Sequence, residues 1–175
     1  MPHDASLDLF GLSLMTGTLA AARLLAFSLA LGATSATAAA GPVEDMTGYW
    51  SGTGTIRLSG KETERVKCVA IYRVGDAGTK IKQTLRCASS DYNINAKADL
   101  AIKGGQQVEG SWEEQTYSAS GEVTGRYTGS SFVLAIKGAN FTAAMNVGLS
   151  NCKQSIEITP KGLEMRRISM TLSKC

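Results

Sequence analysis

The chain is nearly devoid of histidine: His3 is the single imidazole in 175 residues. Imidazole is the commonest general base near neutral pH and a frequent metal ligand, so nucleophilic triads and histidine-held metals have no basis here. Carboxylates do not fill the gap. Glu113 and Glu114 are adjacent, and neighbours on a strand point to opposite faces, so they cannot act on one bond. There is no CxxC spacing for a metal. There is also no phosphate loop or dinucleotide fingerprint, since Gly52-Thr53-Gly54 and Gly104-Gly105 precede no helical segment. The chain is expected not to be an enzyme, and no cofactor or metal is expected.

Basic charge is also sparse. The net charge is +3, and Arg166-Arg167 is the one adjacent basic pair, whereas nucleic-acid surfaces cluster their cations with aromatics. Nucleic acid is not an expected partner. Aromatic residues make up 6% of the chain, which leaves few for the two girdles of a membrane-spanning barrel.

One end of the chain differs from the rest. After Arg23 comes a short apolar run, Leu24 to Leu31, and then the small residues of 32–40, with A-x-A sites at Ala36/Ala38 and Ala38/Ala40. This order of basic, apolar and small residues predicts a cleaved signal peptide over residues 1–40, with Met15 as an alternative start. The run falls short of the roughly 20 residues that cross a bilayer. Cleavage after Ala40 removes Arg23 from 18 basic residues and Asp4 and Asp8 from 15 acidic ones, leaving 17 against 13. The expected mature domain, 41–175, is therefore mildly basic and periplasmic or secreted.

All four cysteines, Cys68, Cys87, Cys152 and Cys175, fall in that domain, and an even count in an exported chain predicts disulfides. The turn signal Gly75-Asp76-Ala77-Gly78 lies between two strand-like runs. A hairpin centred on Ala77-Gly78 sets Cys68 opposite Cys87. That leaves Cys152 for Cys175, although a hairpin around Pro160-Lys161-Gly162 would set Cys152 opposite Thr171.

From Thr47 onward, runs of about 8 to 12 residues alternate in polarity between Gly, Asn, Asp, Ser or Pro breaks, and no helical period is present. The dry parity holds Val66, Cys68, Ala70 and Tyr72 in one run and Ile94, Ala96, Ala98 and Leu100 in another. The opposite parity holds Arg65, Lys67, Arg86 and Lys97. One dry face per strand predicts a single antiparallel up-and-down β-barrel of about 8–10 strands, closed on itself to remove its edges. Those four cations would face lipid in a spanning barrel, so the mature form is expected not to span a membrane.

Met46-Thr47-Gly48-Tyr49-Trp50-Ser51-Gly52 opens the first strand with G-x-W. It resembles the entry motif of the calycin group, which comprises lipocalins, fatty-acid-binding proteins and avidin-like barrels. The resemblance implies that Trp50 plugs one end of the barrel with a last-strand cation against it. Antiparallel pairing of the first and last strands makes that cation Lys174. Val123-Thr124-Gly125-Arg126-Tyr127 resembles an avidin-like strand, but two tryptophans are too few for that biotin pocket. The lid of the fatty-acid-binding proteins has no room in Ser59-Gly60, and the helix that follows the lipocalin barrel is absent.

A barrel of this size need not be filled by its own side chains. The expected ligand is a hydrophobic small molecule, lined by Trp50, Tyr92, Trp112, Tyr127, Phe132, Phe141 and Met145. Glu114 shares the dry face with Trp112, either touching the ligand or reaching water at its strand end. Gly52, Gly54, Gly110 and Gly125 on that face either allow curvature or leave volume. The two-cysteine hairpin also resembles that of small periplasmic metalloprotease inhibitors. That resemblance implies an alternative: a solid barrel that meets an exported protein through a free arm at Gly41 to Met46.

Overall fold

A computed structural model describes residues 43–60 and 62–175; the expected signal peptide and the alternative start at Met15 lie outside the described residues. Ten strands follow one 3-10 turn, Val43–Met46. They are β1 Gly48–Leu58, β2 Thr63–Gly75, β3 Lys80–Ala88, β4 Asn93–Lys103, β5 Gln107–Glu114, β6 Ala119–Tyr127, β7 Ser131–Gly138, β8 Thr142–Ser150, β9 Lys153–Lys161 and β10 Met165–Ser173. Each pairs antiparallel with the next, and β10 returns to β1, so the sheet is a closed barrel with no exposed edge.

Alternating polarity builds the wall as expected. On β2, Val66, Cys68, Ala70 and Tyr72 are buried while Arg65, Lys67 and Arg73 are exposed. Among the described residues no helix is long and apolar enough to cross a membrane. The outer face carries cross-strand ion pairs such as Lys82 with Asp99 and Lys97 with Glu113, both at 3.5 Å. The glycines serve close approach. A Cβ on Gly52 would lie 2.0 Å from the Thr171 carbonyl oxygen, and one on Gly110 equally close to that of Asp99. Neighbouring backbone occupies the space a side chain would need, which is how a strand coils tightly enough to close.

The β2–β3 hairpin has the expected register, with Gly75 opposite Lys80 and Cys68 opposite Cys87, and the Cys68–Cys87 disulfide joins them. Its turn holds Asp76 and Ala77 at φ 50 and 51° and is tied by the Thr79 amide and hydroxyl, both donating to the Asp76 carbonyl.

The β9–β10 hairpin departs from expectation. Pro160 does not turn the chain but continues β9, buried and opposite Ala143 of β8. Pairing with β10 stops at Ile158, so the proline's missing N–H breaks no bond on that side. The turn shifts to residues 162–164, Ile158 faces Ile168, and the Lys174 amide donates to the Cys152 carbonyl at 3.1 Å. Cys152 therefore lies beside the last residues rather than opposite Thr171, and the Cys152–Cys175 disulfide forms. Two disulfides fit an oxidising, extracellular or periplasmic setting.

Candidate functional site

The two ends of the barrel differ. At the end where β1 starts, the 3-10 turn folds across the opening with Val43 and Met46 buried. Trp50, 1% exposed, donates its indole N–H to the Met46 carbonyl at 2.8 Å. The Lys174 ammonium lies 5.2 Å from the Trp50 ring centroid and donates to the Asp45 carbonyl. A cation over an indole face is favourable, and here it also ties the last strand to the plug. The expected free arm is thus corrected. Residues 43–46 of it are part of the core because Val43 and Met46, three apart on one helical turn, face the same way; Gly41 and Pro42 lie outside the described residues.

Behind the plug the interior is filled. Tyr72 meets Trp50 edge-on with centroids 6.5 Å apart, and Tyr127 packs against Phe132 at 4.7 Å. A polar cross-link spans the barrel there. The Gln83 amide donates to the Tyr72 hydroxyl at 2.9 Å, and that hydroxyl donates to the Gln154 side-chain carbonyl at 3.0 Å. Burial pushes the Tyr72 phenol well above its ordinary range, since the charged form would lose its water.

Beyond this cross-link the barrel is hollow. A cavity of about 480 Å³ extends to the turns of the other end, where exposed Tyr117 and Glu164 stand at its margin. Its wall is almost wholly apolar, including Leu85, Ile94, Leu100, Val123, Ile136 and Met165. The volume lies within the roughly 300–1,000 Å³ of small-molecule sites.

The seven expected lining residues divide between the two halves. Tyr92, Trp112, Phe141 and Met145 line the cavity. Trp50, Tyr127 and Phe132 do not; they fill the plugged half, because each sits near the strand end that the 3-10 turn covers.

Local structure positions the four. The Ser89 hydroxyl accepts the Tyr92 amide at 3.0 Å and holds the β3–β4 turn that carries Tyr92. Trp112 on β5 is flanked by Ala98 on β4 and Gly121 on β6, two positions small enough for an indole to lie across them. Phe141 folds over Gly138, where a Cβ would come within 2.5 Å of its ring, and meets Trp112 edge-on at 5.6 Å. Met145 stands between Leu134 and Ile158.

Glu114 does not reach water at its strand end, as one reading expected, but lines the cavity wall. It is 8% exposed, and its carboxylate oxygens accept the backbone amides of Asn95 at 2.7 Å and Tyr117 at 2.6 Å. It clamps the β5–β6 turn to β4. Among the described residues no cluster of histidine, cysteine, aspartate or glutamate is arranged to hold a metal. Sequence reasoning missed Gln154, although it shares the parity of Ile156 and Ile158 and is 1% exposed.

No protein-family model matches the chain, and no curated protein matches it in sequence. Solved structures do match in fold. The protein Rv2717c of M. tuberculosis is 10% identical with a TM-score of 0.60, covering 76% of this chain and 94% of its own. The S-type phycobiliprotein lyase CPES of Guillardia theta is 13% identical with a TM-score of 0.55, covering 76% of this chain and 90% of its own. Likeness at this identity is likeness of fold, and it fits a calycin-like barrel.

Proposed function

We propose that this protein is an exported, non-catalytic binding protein that holds a hydrophobic small molecule in the hollow half of its barrel. The observation that carries the reading is the cavity of about 480 Å³, walled by apolar side chains and by Gln83, whose amide donates to the Tyr72 hydroxyl. A pocket that is largely preformed and apolar with few polar groups is the general form of a small-molecule site. The lyase of similar fold has a name that refers to a pigment-bearing protein, which is in keeping with a barrel that handles a small molecule. Export is supported by the signal-peptide pattern and by two disulfides.

A non-catalytic role is supported by the buried carboxylate nearest the cavity. Both oxygens of Glu114 accept backbone amides, which suits a structural clamp better than a proton-transferring group. The test is native mass spectrometry of protein purified from its own host, with titration of Trp112 fluorescence by hydrophobic dyes. A retained mass and a fluorescence change that is lost in Trp112→Phe are expected. A bare mass with no fluorescence response would refute the reading. N-terminal sequencing of the same material should begin after Ala40.

A further inference from the structure

The deep end of the cavity says which part of a hydrophobic molecule enters first, and this step rests on the binding role proposed above. β3 carries Gln83 on its inward face, between buried Ile81 and Leu85. Of the β3 residues that line the cavity, Gln83, Leu85 and Cys87, it lies farthest from the open end, about 16 Å along the strand from Ala88. Tyr92, Glu114, Tyr117 and Glu164 also line the cavity, but they stand in or beside the turns of the open end. Gln83 is thus the polar group of the floor, with apolar wall between it and the mouth.

Half of its amide is in use. The Gln83 nitrogen donates to the Tyr72 hydroxyl at 2.9 Å, and that hydroxyl spends its own proton on the Gln154 carbonyl at 3.0 Å. The Gln83 oxygen accepts no hydrogen bond from the described residues. Among those residues the sealed, unpartnered side-chain polar atoms belong to Asn95, Trp112 and Gln154, and the Gln83 oxygen is not one of them. It is open, and on an inward side chain that lines the cavity, the space it opens to is the cavity. Its partner on β4, Ala98, has only a methyl group to lay over it. An amide oxygen accepts and cannot donate, so its complement is a donor. A wholly apolar ligand that reached the floor would displace the water from this oxygen and leave it unpaired, which costs affinity.

We infer that the cavity takes a lipophilic alcohol with its hydroxyl end inward, and that this hydroxyl donates to the Gln83 side-chain carbonyl. A hydroxyl supplies the donor without bringing a charge into a site that would strip its hydration. The alkyl chain then runs toward the mouth among Leu85, Ile94 and Ile136.

The test uses three probes of equal length, decan-1-ol, 1-methoxynonane and undecane, displacing a hydrophobic dye from the full mature protein at pH 7. The ether can accept a hydrogen bond but has none to give. Decan-1-ol should bind about five- to tenfold more tightly than the ether, the usual worth of one buried hydrogen bond. Gln83→Met keeps an unbranched side chain of similar length and removes the amide. It should erase the preference for the alcohol over the ether and leave undecane within about twofold. An ether that binds as tightly as the alcohol, or an alcohol preference that survives Gln83→Met, would overturn the assignment while leaving the binding role intact. If none of the three displaces the dye, the binding role falls and this inference with it. A thermal melt with a sharp transition establishes that Gln83→Met is folded; if it is not, the alcohol-to-ether ratio in the parent protein decides alone.

Discussion

Glu114 offers the sharpest separation between a structural and a ligand-touching role. Its two carboxylate oxygens take the amides of Asn95 and Tyr117 at 2.7 and 2.6 Å in a site 8% exposed. Hydrogen bonds to a charged acceptor contribute about 1.5–3 kcal/mol each, and water reaching a turn recovers part of that when the acceptor is removed. Glu114→Ala should therefore cost about 3 kcal/mol. Glu114→Gln keeps one acceptor oxygen but turns an NH₂ toward the second amide, so it should cost about 2 kcal/mol, still well above a surface change. The assay is urea unfolding at pH 7 followed by tryptophan fluorescence, with the slope checked for constancy so that midpoints can be compared. A cost below about 1 kcal/mol for Glu114→Ala would refute the clamp. So would a Glu114→Gln variant that keeps its urea midpoint but loses dye binding, since that pattern belongs to a ligand contact.

Other expectations follow from the same geometry. Alkylation of the denatured, unreduced protein should modify no thiol, and replacing Cys68 and Cys87 together by alanine should cost about 3 kcal/mol, the chain-entropy value for a loop of this order. Met46→Ala should cost about 2–4 kcal/mol in urea unfolding because it opens the plug beneath Trp50, whereas a free arm would give almost no change. Tyr72 has a folded pKa raised above its ordinary 10.0 by burial, so the stability it contributes is complete below that pH and is lost as the pH rises further. Unfolding free energy should then fall more steeply above pH 10 in the parent protein than in Tyr72→Phe, and parallel profiles would contradict the burial of that hydroxyl.

Much of this barrel can be read from parity alone, because a strand with one dry face admits one assignment of inside and outside. The same bookkeeping places Cys68 against Cys87 once the turn at Ala77-Gly78 is recognised, and sets Lys174 beside Trp50 once the first and last strands are paired. It fails where a residue breaks its usual habit. Pro160 reads as a turn residue, yet it tolerates β9 because the ladder on one side has already ended at Ile158. Val43 and Met46 precede the first strand, and the charged pair between them, Glu44 and Asp45, makes that stretch look like a solvated arm. The division of the interior into a solid and a hollow half is not in the parity at all. It depends on which inward positions share a level, and strand tilt sets that.

The cavity is nonetheless written in particular side chains. Ala98 lies between Gln83 and Trp112, Ala96 between Leu85 and Glu114, and Ala143 between Ile136 and Pro160, each a small residue between larger ones. In the plugged half the corresponding economy is used up, since Ala70 lies beside Trp50 and makes room for its indole. Voids in protein cores cost about 24 cal/mol per Å³ when side chains are truncated, so about 480 Å³ corresponds to a loss on the order of 10 kcal/mol if it were closed and dry. The cavity reaches the turns at its open end, so water offsets part of that loss and an occupant would displace this water. Filling the space with an occupant and filling it with protein should then stabilise by the same route. Ala98→Phe should raise the melting temperature, abolish dye binding, and remove the further rise that ligand gives to the parent chain. Additive shifts from the substitution and the ligand would mean that the ligand binds elsewhere.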